Sequence, residues 1–161
     1  MSKAVLISIR PKWVEKIASG EKTIEVRKTR PKLETSFKCY IYCTIDGIKK
    51  MPKDYIAESV ERGKVIGEFT CDRIFPINVF DNGSIQNWLF EHMERSCLTY
   101  EELADYIGNG KTGYGWHISD LKIYDMPRDL SEFIGLRDTK FGAAPYEIKR
   151  PPQSWCYVEE C

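Results

Sequence analysis

The sequence predicts an α+β fold built on a barrel or a strongly curved mixed sheet. Runs with strand periodicity are scattered from Val5 to Glu159 without local partners, and a helical stretch interrupts them in the middle. No repeat, low-complexity tract or composition shift marks a second domain, so residues 1–161 read as one unit. With 42% hydrophobic and 30% charged residues, the composition is that of an ordinary globular protein large enough to bury a core.

Each element follows in order. Val5–Ile9 is a short β-rich run. Pro11 suits the first turn of a helix whose apolar stripe is Trp13, Val14, Ile17 and Ala18, and Gly20 stops it. A charged strand follows, then the basic turn Lys28-Thr29-Arg30-Pro31-Lys32. Phe37–Ile45 alternates throughout and closes at Asp46-Gly47. Lys53–Arg62 reads as a short helix, and Val65–Ile74 as a strand in which Gly67 marks a bulge or a close backbone approach. Ile85, Trp88, Leu89 and Met93 recur at helical spacing after Ser84. Thr99 and Glu102 then make a capping box, Leu98 staples to Leu103, and Gly108 ends that second helix. Tyr114–Tyr124 is a strand, Asp129 caps a single turn holding Leu130 and Phe133, residues 137–153 form an irregular connection, and Trp155–Glu159 is the last strand.

Composition also excludes classes. No apolar run approaches the roughly 18 residues that cross a bilayer, and the N-terminal run is too short for a signal peptide. The expectation is a cytoplasmic protein with no membrane partner. Cys39 and Cys43 share a strand face with Phe37 and Ile41, as small buried hydrophobes do. No cysteine pair has CxxC spacing and neither histidine neighbours a cysteine, so no metal and no cofactor is expected, and the thiols read as reduced. Zero net charge argues against a protein that coats nucleic acid nonspecifically. Yet residues 1–38 carry ten basic side chains against four acidic ones, enough local positive surface to hold a few phosphates.

The most informative stretch is Gly20-Glu21-Lys22-Thr23-Ile24-Glu25-Val26-Arg27. Period two puts Thr23, Glu25 and Arg27 on one face and Ile24 and Val26 on the other. A lysine followed by a carboxylate and a guanidinium suits a small polar cleft that grips a planar, hydrogen-bonding ligand such as a nucleobase. The alternative is a solvated ion pair on a strand edge, worth little energetically. Trp116 and His117 present a second choice: an aromatic and an imidazole that engage a base, or a core tryptophan with a surface histidine. The glycine-rich turn at 108–113 lacks phosphate-loop spacing and reads as a connector.

The run Ser8-Ile9-Arg10-Pro11, a short helix, and then G-x-K-x-x-E-x-R from Gly20 to Arg27 resembles the signature of the ASCH domain family, within the PUA-like superfamily. Val65–Phe69 and Trp155–Val158 resemble bacterial and phage members, and the likeness thins across residues 76–112. It implies a PUA-like β-barrel flanked by short helices, with a helical insertion at about 76–112 and a cleft beside the motif strand that binds RNA or nucleotides. Lys22, Glu25 and Arg27 fall on the signature positions, Arg10 on the polar position before the first helix, and Ser154 and Trp155 on the cleft rim. One branch looks like acetylcytidine amidohydrolases with a threonine three residues after the lysine, where this chain has Glu25. Lys22 and Glu25 then remain as an acid/base pair, and another branch looks ribonuclease-like. Three functions follow: an RNA- or nucleotide-binding module, a small hydrolase on an acylated nucleoside or RNA, and an interaction domain using the helical face of residues 84–107. The sequence leaves the oligomeric state open.

Overall fold

The computed structural model describes residues 2–45 and 61–161. Its strands are β1 (Lys3–Ile9), β2 (Ile24–Arg27), β3 (Phe37–Cys43), β4 (Lys64–Val79), β5 (Ile85–Gln86), β6 (Thr112–Arg128), β7 (Ile134–Thr139), β8 (Gly142–Glu147) and β9 (Trp155–Glu159). Helix α1 spans Pro11–Ser19, α2 Phe90–Ser96 and α3 Tyr100–Ile107, and Leu130–Glu132 form a single 3₁₀ turn. The strands make one mixed sheet in the order β2-β6-β4-β3-β1-β9-β7-β8, with β5 added to β4. Strands β1 and β3 are parallel, and the other pairs are antiparallel.

The sheet is α+β and curved, but it does not close into the expected barrel. Its end strands, β2 and β8, each pair on one side only. The central strands bury both faces, because two layers cover them. Val5, Ile7 and Ile9 of β1 join Phe37, Cys39, Ile41 and Cys43 of β3 against Val14 and Ile17 of α1. The alternate residues Ala4, Leu6, Tyr40 and Tyr42 pack on Val65, Phe133 and Val158 behind the sheet. A third cluster seats α3 on β2, through Ile24 and Val26 against Leu103, Ala104 and Ile107.

Helix α1 begins with Pro11 and ends where Gly20 turns left-handed at φ 88°, as its sequence predicts. Ala18, placed on the apolar stripe, is exposed. The capping box on α3 forms in both directions: Thr99 Oγ1 accepts from the Glu102 amide at 3.1 Å, and Glu102 Oε1 from the Thr99 amide at 3.2 Å. Gly67 serves both anticipated purposes. The β4/β6 register shifts beside it, and a Cβ there would lie 2.5 Å from the Lys122 carbonyl oxygen.

Other expectations need correcting. Strands β4 and β6 are longer than their alternating runs, because the two ladder together along most of their length despite polar residues at the far end. Residues 85–86 are strand, and α2 starts only at Phe90, because Trp88 is drawn into the core while Leu89 caps the helix and stays exposed. The connection at 137–153 contains most of a hairpin, β7–β8, held by backbone pairing that a strand with Gly142 and Pro145 does not advertise. The helix expected at 53–62 lies largely outside the described residues. No helix among the described residues is long and apolar enough to cross a membrane.

Candidate functional site

The site grows from the turn after α1. The Lys22 amide donates to the Lys16 carbonyl and the Thr23 amide to the Arg95 carbonyl, which directs the chain into β2. In β2, Glu25 lies opposite Trp116 and Arg27 opposite Tyr114, so these four side chains share a face. Ile24 and Val26 point the other way, into the cluster beneath α3. Lys22 precedes the strand and escapes its alternation. Its ammonium reaches the Glu25 side, 3.8 Å from Oε1.

Lys22 and Glu25 are only 1% and 6% exposed, so this is a buried pair at the base of a cleft. The Lys22 ammonium donates to the Ser96 carbonyl and lies 4.9 Å from the Trp13 ring centroid. Burial pushes its pKa below the usual lysine value, and the attraction of Glu25 only partly restores it. Glu25 Oε1 accepts the Val26 amide at 3.0 Å. Its Oε2 is buried with no hydrogen-bond donor, although the Arg27 Nη2 charge stands 3.6 Å away.

Arg27 spends its donors elsewhere. Nη2 donates to the Ser8 carbonyl at 2.7 Å, while Nη1 donates to the Ser154 carbonyl and hydroxyl at 3.3 and 3.2 Å. Ser8 belongs to β1, and β6, β4 and β3 separate β1 from β2 in the sheet. One guanidinium therefore bridges two strands four places apart in sheet order. The sheet must curl until its β2 edge returns to β1, leaving a seam that side chains span and backbone does not.

The cleft occupies that seam, with a volume of about 650 Å³. Ser8, Lys22, Glu25 and Arg27 form its base, Arg10 and Trp13 of the α1 region one wall, and Glu102, Asp105 and Tyr106 of α3 another, with Thr44 and Gln153 completing it. Two aromatic rings thus border a space containing a buried carboxylate and ammonium. Burial raises the Tyr106 phenol pKa, so it stays a neutral hydroxyl; Lys28 lies 5.2 Å from its ring.

Arg10, Lys22, Glu25 and Arg27, separated in sequence, line one cavity. Ser154 touches it through Arg27. Trp155 donates its indole N–H to Thr29 Oγ1 at 2.9 Å and packs edge-on to Trp116. Trp116 is fully buried against Phe37 and offers no face to a ligand. His117 sits on the opposite face of β6, its Nδ1 2.6 Å from Asp72 Oδ1. Trp116, His117 and Trp155 are therefore not cleft-lining residues: Trp116 shares the Glu25 face but is buried under Phe37 and Trp155, and alternation along β6 turns His117 away. Trp13, Thr44, Asp105, Tyr106 and Gln153 are among the lining residues that sequence reading missed. Glu102, Asp105 and Tyr106 have the i, i+3, i+4 spacing of one helical face, opposite Leu103 and Ile107, and that spacing was the available signal.

No protein-family model matches the chain, and no curated protein does either. Among solved structures, the ASCH protein of Zymomonas mobilis superposes with a TM-score of 0.57 at 20% identity, over 98% of this chain and 88% of that one. Two mutant forms of the same protein give TM-scores of 0.58 and 0.57 at 20% identity. They cover 99% and 98% of this chain and 92% and 89% of theirs. The curled mixed sheet with helices beside its seam is an α+β architecture. In particular, this chain has the fold of the ASCH domain.

Proposed function

We propose that the chain is an RNA- or nucleotide-binding module of the ASCH type, whose cleft receives a single nucleobase. The observation that carries this reading is Glu25, a cleft-lining residue whose carboxylate Oε2 is buried and accepts no hydrogen bond among the described residues. A buried acceptor without a donor is costly, and an incoming amine removes that cost. The exocyclic amino groups of cytosine, adenine and guanine are such donors, and uracil has none. Trp13 and Tyr106 supply aromatic surface for the flat faces of the base. A cleft of about 650 Å³ suits one nucleotide rather than a duplex.

Calorimetric titration with the four ribonucleosides tests this. Cytidine, adenosine or guanosine should bind about tenfold more tightly than uridine, the value of one hydrogen bond to a charged acceptor. Glu25→Gln should reverse the preference. The Val26 amide will hold the new amide's oxygen, turning its NH₂ towards the cleft, where it favours the uracil carbonyl. Equal binding of all four nucleosides by both proteins would remove Glu25 from base recognition.

A specific observation also favours the hydrolase reading. The Lys22 ammonium, its pKa lowered by burial, stands 3.8 Å from the Glu25 carboxylate, an arrangement able to pass a proton to or from a bound water. Product formation from acetylcytidine or an RNA oligomer, lost in Lys22→Ala and Glu25→Ala, would establish it. No turnover by the wild-type protein would reject it.

A further inference from the structure

The cleft holds three cations, and they are not equivalent. Lys22 is committed to Ser96 and Glu25, and Arg27 to Ser8, Ser154 and Glu25. Arg10 is exposed and borders the cleft, and its side chain makes no hydrogen bond or ion pair among the described residues. It precedes α1, whose Trp13 and Val14 amides turn back to the Arg10 carbonyl. Pro11 has no N–H, so the Lys12 amide is the first-turn donor left without an intrahelical acceptor.

A second observation comes from the neighbouring strand, β3. The Thr44 amide donates to the Ile9 carbonyl, which sets Thr44 beside Arg10 at the ends of the parallel β1/β3 pair. Its Oγ1 is buried with no hydrogen-bond partner among the described residues, and Thr44 lines the same cleft. A guanidinium and a spare hydroxyl thus gather at the α1 end. The α3 wall carries Glu102 and Asp105 instead. An anion entering the cleft is drawn to one end and repelled from the other.

We infer that the Arg10–Thr44 end is a phosphate subsite, so that the ligand is a nucleoside phosphate rather than a bare nucleoside, bound with its phosphate at Arg10 and its base at Glu25. This rests on the nucleobase reading above and adds to it the place of the phosphate and the residues that hold it. The phosphate can belong to a free mononucleotide or to one residue of a single-stranded RNA, and the two share this chemistry.

The test compares cytidine, cytidine 5′-monophosphate and a short oligocytidylate by calorimetry at low salt. The monophosphate is expected to bind about tenfold more tightly than cytidine, as one charge-assisted guanidinium–phosphate contact would give. Arg10→Ala should bring that ratio close to one, Arg10→Lys should restore part of it, and Thr44→Val should narrow it a few-fold. The Arg10 side chain is exposed and has no partner among the described residues, so its replacement should leave the fold intact. A larger loss for the oligonucleotide on Arg10→Ala assigns the phosphate to RNA, and a larger loss for the mononucleotide assigns it to a free nucleotide; both uphold the subsite. Cytidine binding as tightly as its monophosphate, or a ratio that survives Arg10→Ala, overturns the subsite and leaves the nucleobase reading standing. Binding of neither nucleoside nor nucleotide rejects both.

Discussion

Replacing Lys22 by methionine leaves a carboxylate in the protein interior with one of its two cations removed. At 3.8 Å and an effective dielectric constant of 20, the Lys22–Glu25 attraction is about 4 kcal/mol, and Arg27 at 3.6 Å exerts a similar hold. The Ser96 carbonyl also loses a charged donor, worth roughly 1.5–3 kcal/mol. Part of this is returned, because an ammonium no longer has to be desolvated. The depressed Lys22 pKa says that this desolvation outweighs the stabilisation Glu25 gives it. With the Glu25 attraction thus offset, the lost Ser96 bond sets the net expectation, a destabilisation of about 1–2 kcal/mol, below the range usual for a stranded buried charge because Arg27 remains. Glu25→Gln in the same two backgrounds completes a double-mutant cycle, read by urea unfolding at neutral pH through tryptophan fluorescence. The coupling energy should be about 2–4 kcal/mol. A coupling below about 0.5 kcal/mol would mean that the two groups do not sense each other, and the account of the cleft base would fail.

Two further outcomes follow from the same geometry. Lys22 titrates near 10.5 when unfolded and lower when folded, so between those values the unfolded chain binds more protons. Stability of the wild type relative to Lys22→Met should therefore rise as pH increases through that window towards 10.5, and a flat difference in unfolding free energy would contradict it. Gly67→Ala would place a methyl 2.5 Å from the Lys122 carbonyl, where backbone must move, and should cost about 1–3 kcal/mol by denaturant unfolding; an unchanged midpoint would show that the bulge is soft.

What could be read from the sequence was what local physics determines. Pro11 and Gly20 bounded α1, Thr99 and Glu102 set the start of α3, and alternation from Phe37 to Cys43 placed both cysteines in the core. Lys22, Glu25 and Arg27 could be suspected of cooperating, but alternation alone would have put Lys22 on the wrong face. It meets Glu25 only because the Gly20 turn keeps it out of the strand. Hidden from the sequence were features created by distant pairing. The length of β4 and β6 comes from each supporting the other, and Trp88 leaves a helical pattern because its ring packs over Gly115. Tyr106 and Thr44 join the site through curvature of the whole sheet, which no local window contains.

The guanidinium of Arg27 ties residue 27 to residue 8 and to residue 154. Segments from opposite ends of the sequence must therefore meet before the cleft acquires its base. Such long-range closures form late, after the local helices and hairpins, because the entropy of ordering the intervening chain has to be overcome first. During synthesis, a chain emerging from the ribosome would have α1, β2 and the motif in hand while still lacking Ser154. The base of the cleft would then be completed only once Ser154 is in place beside Arg27.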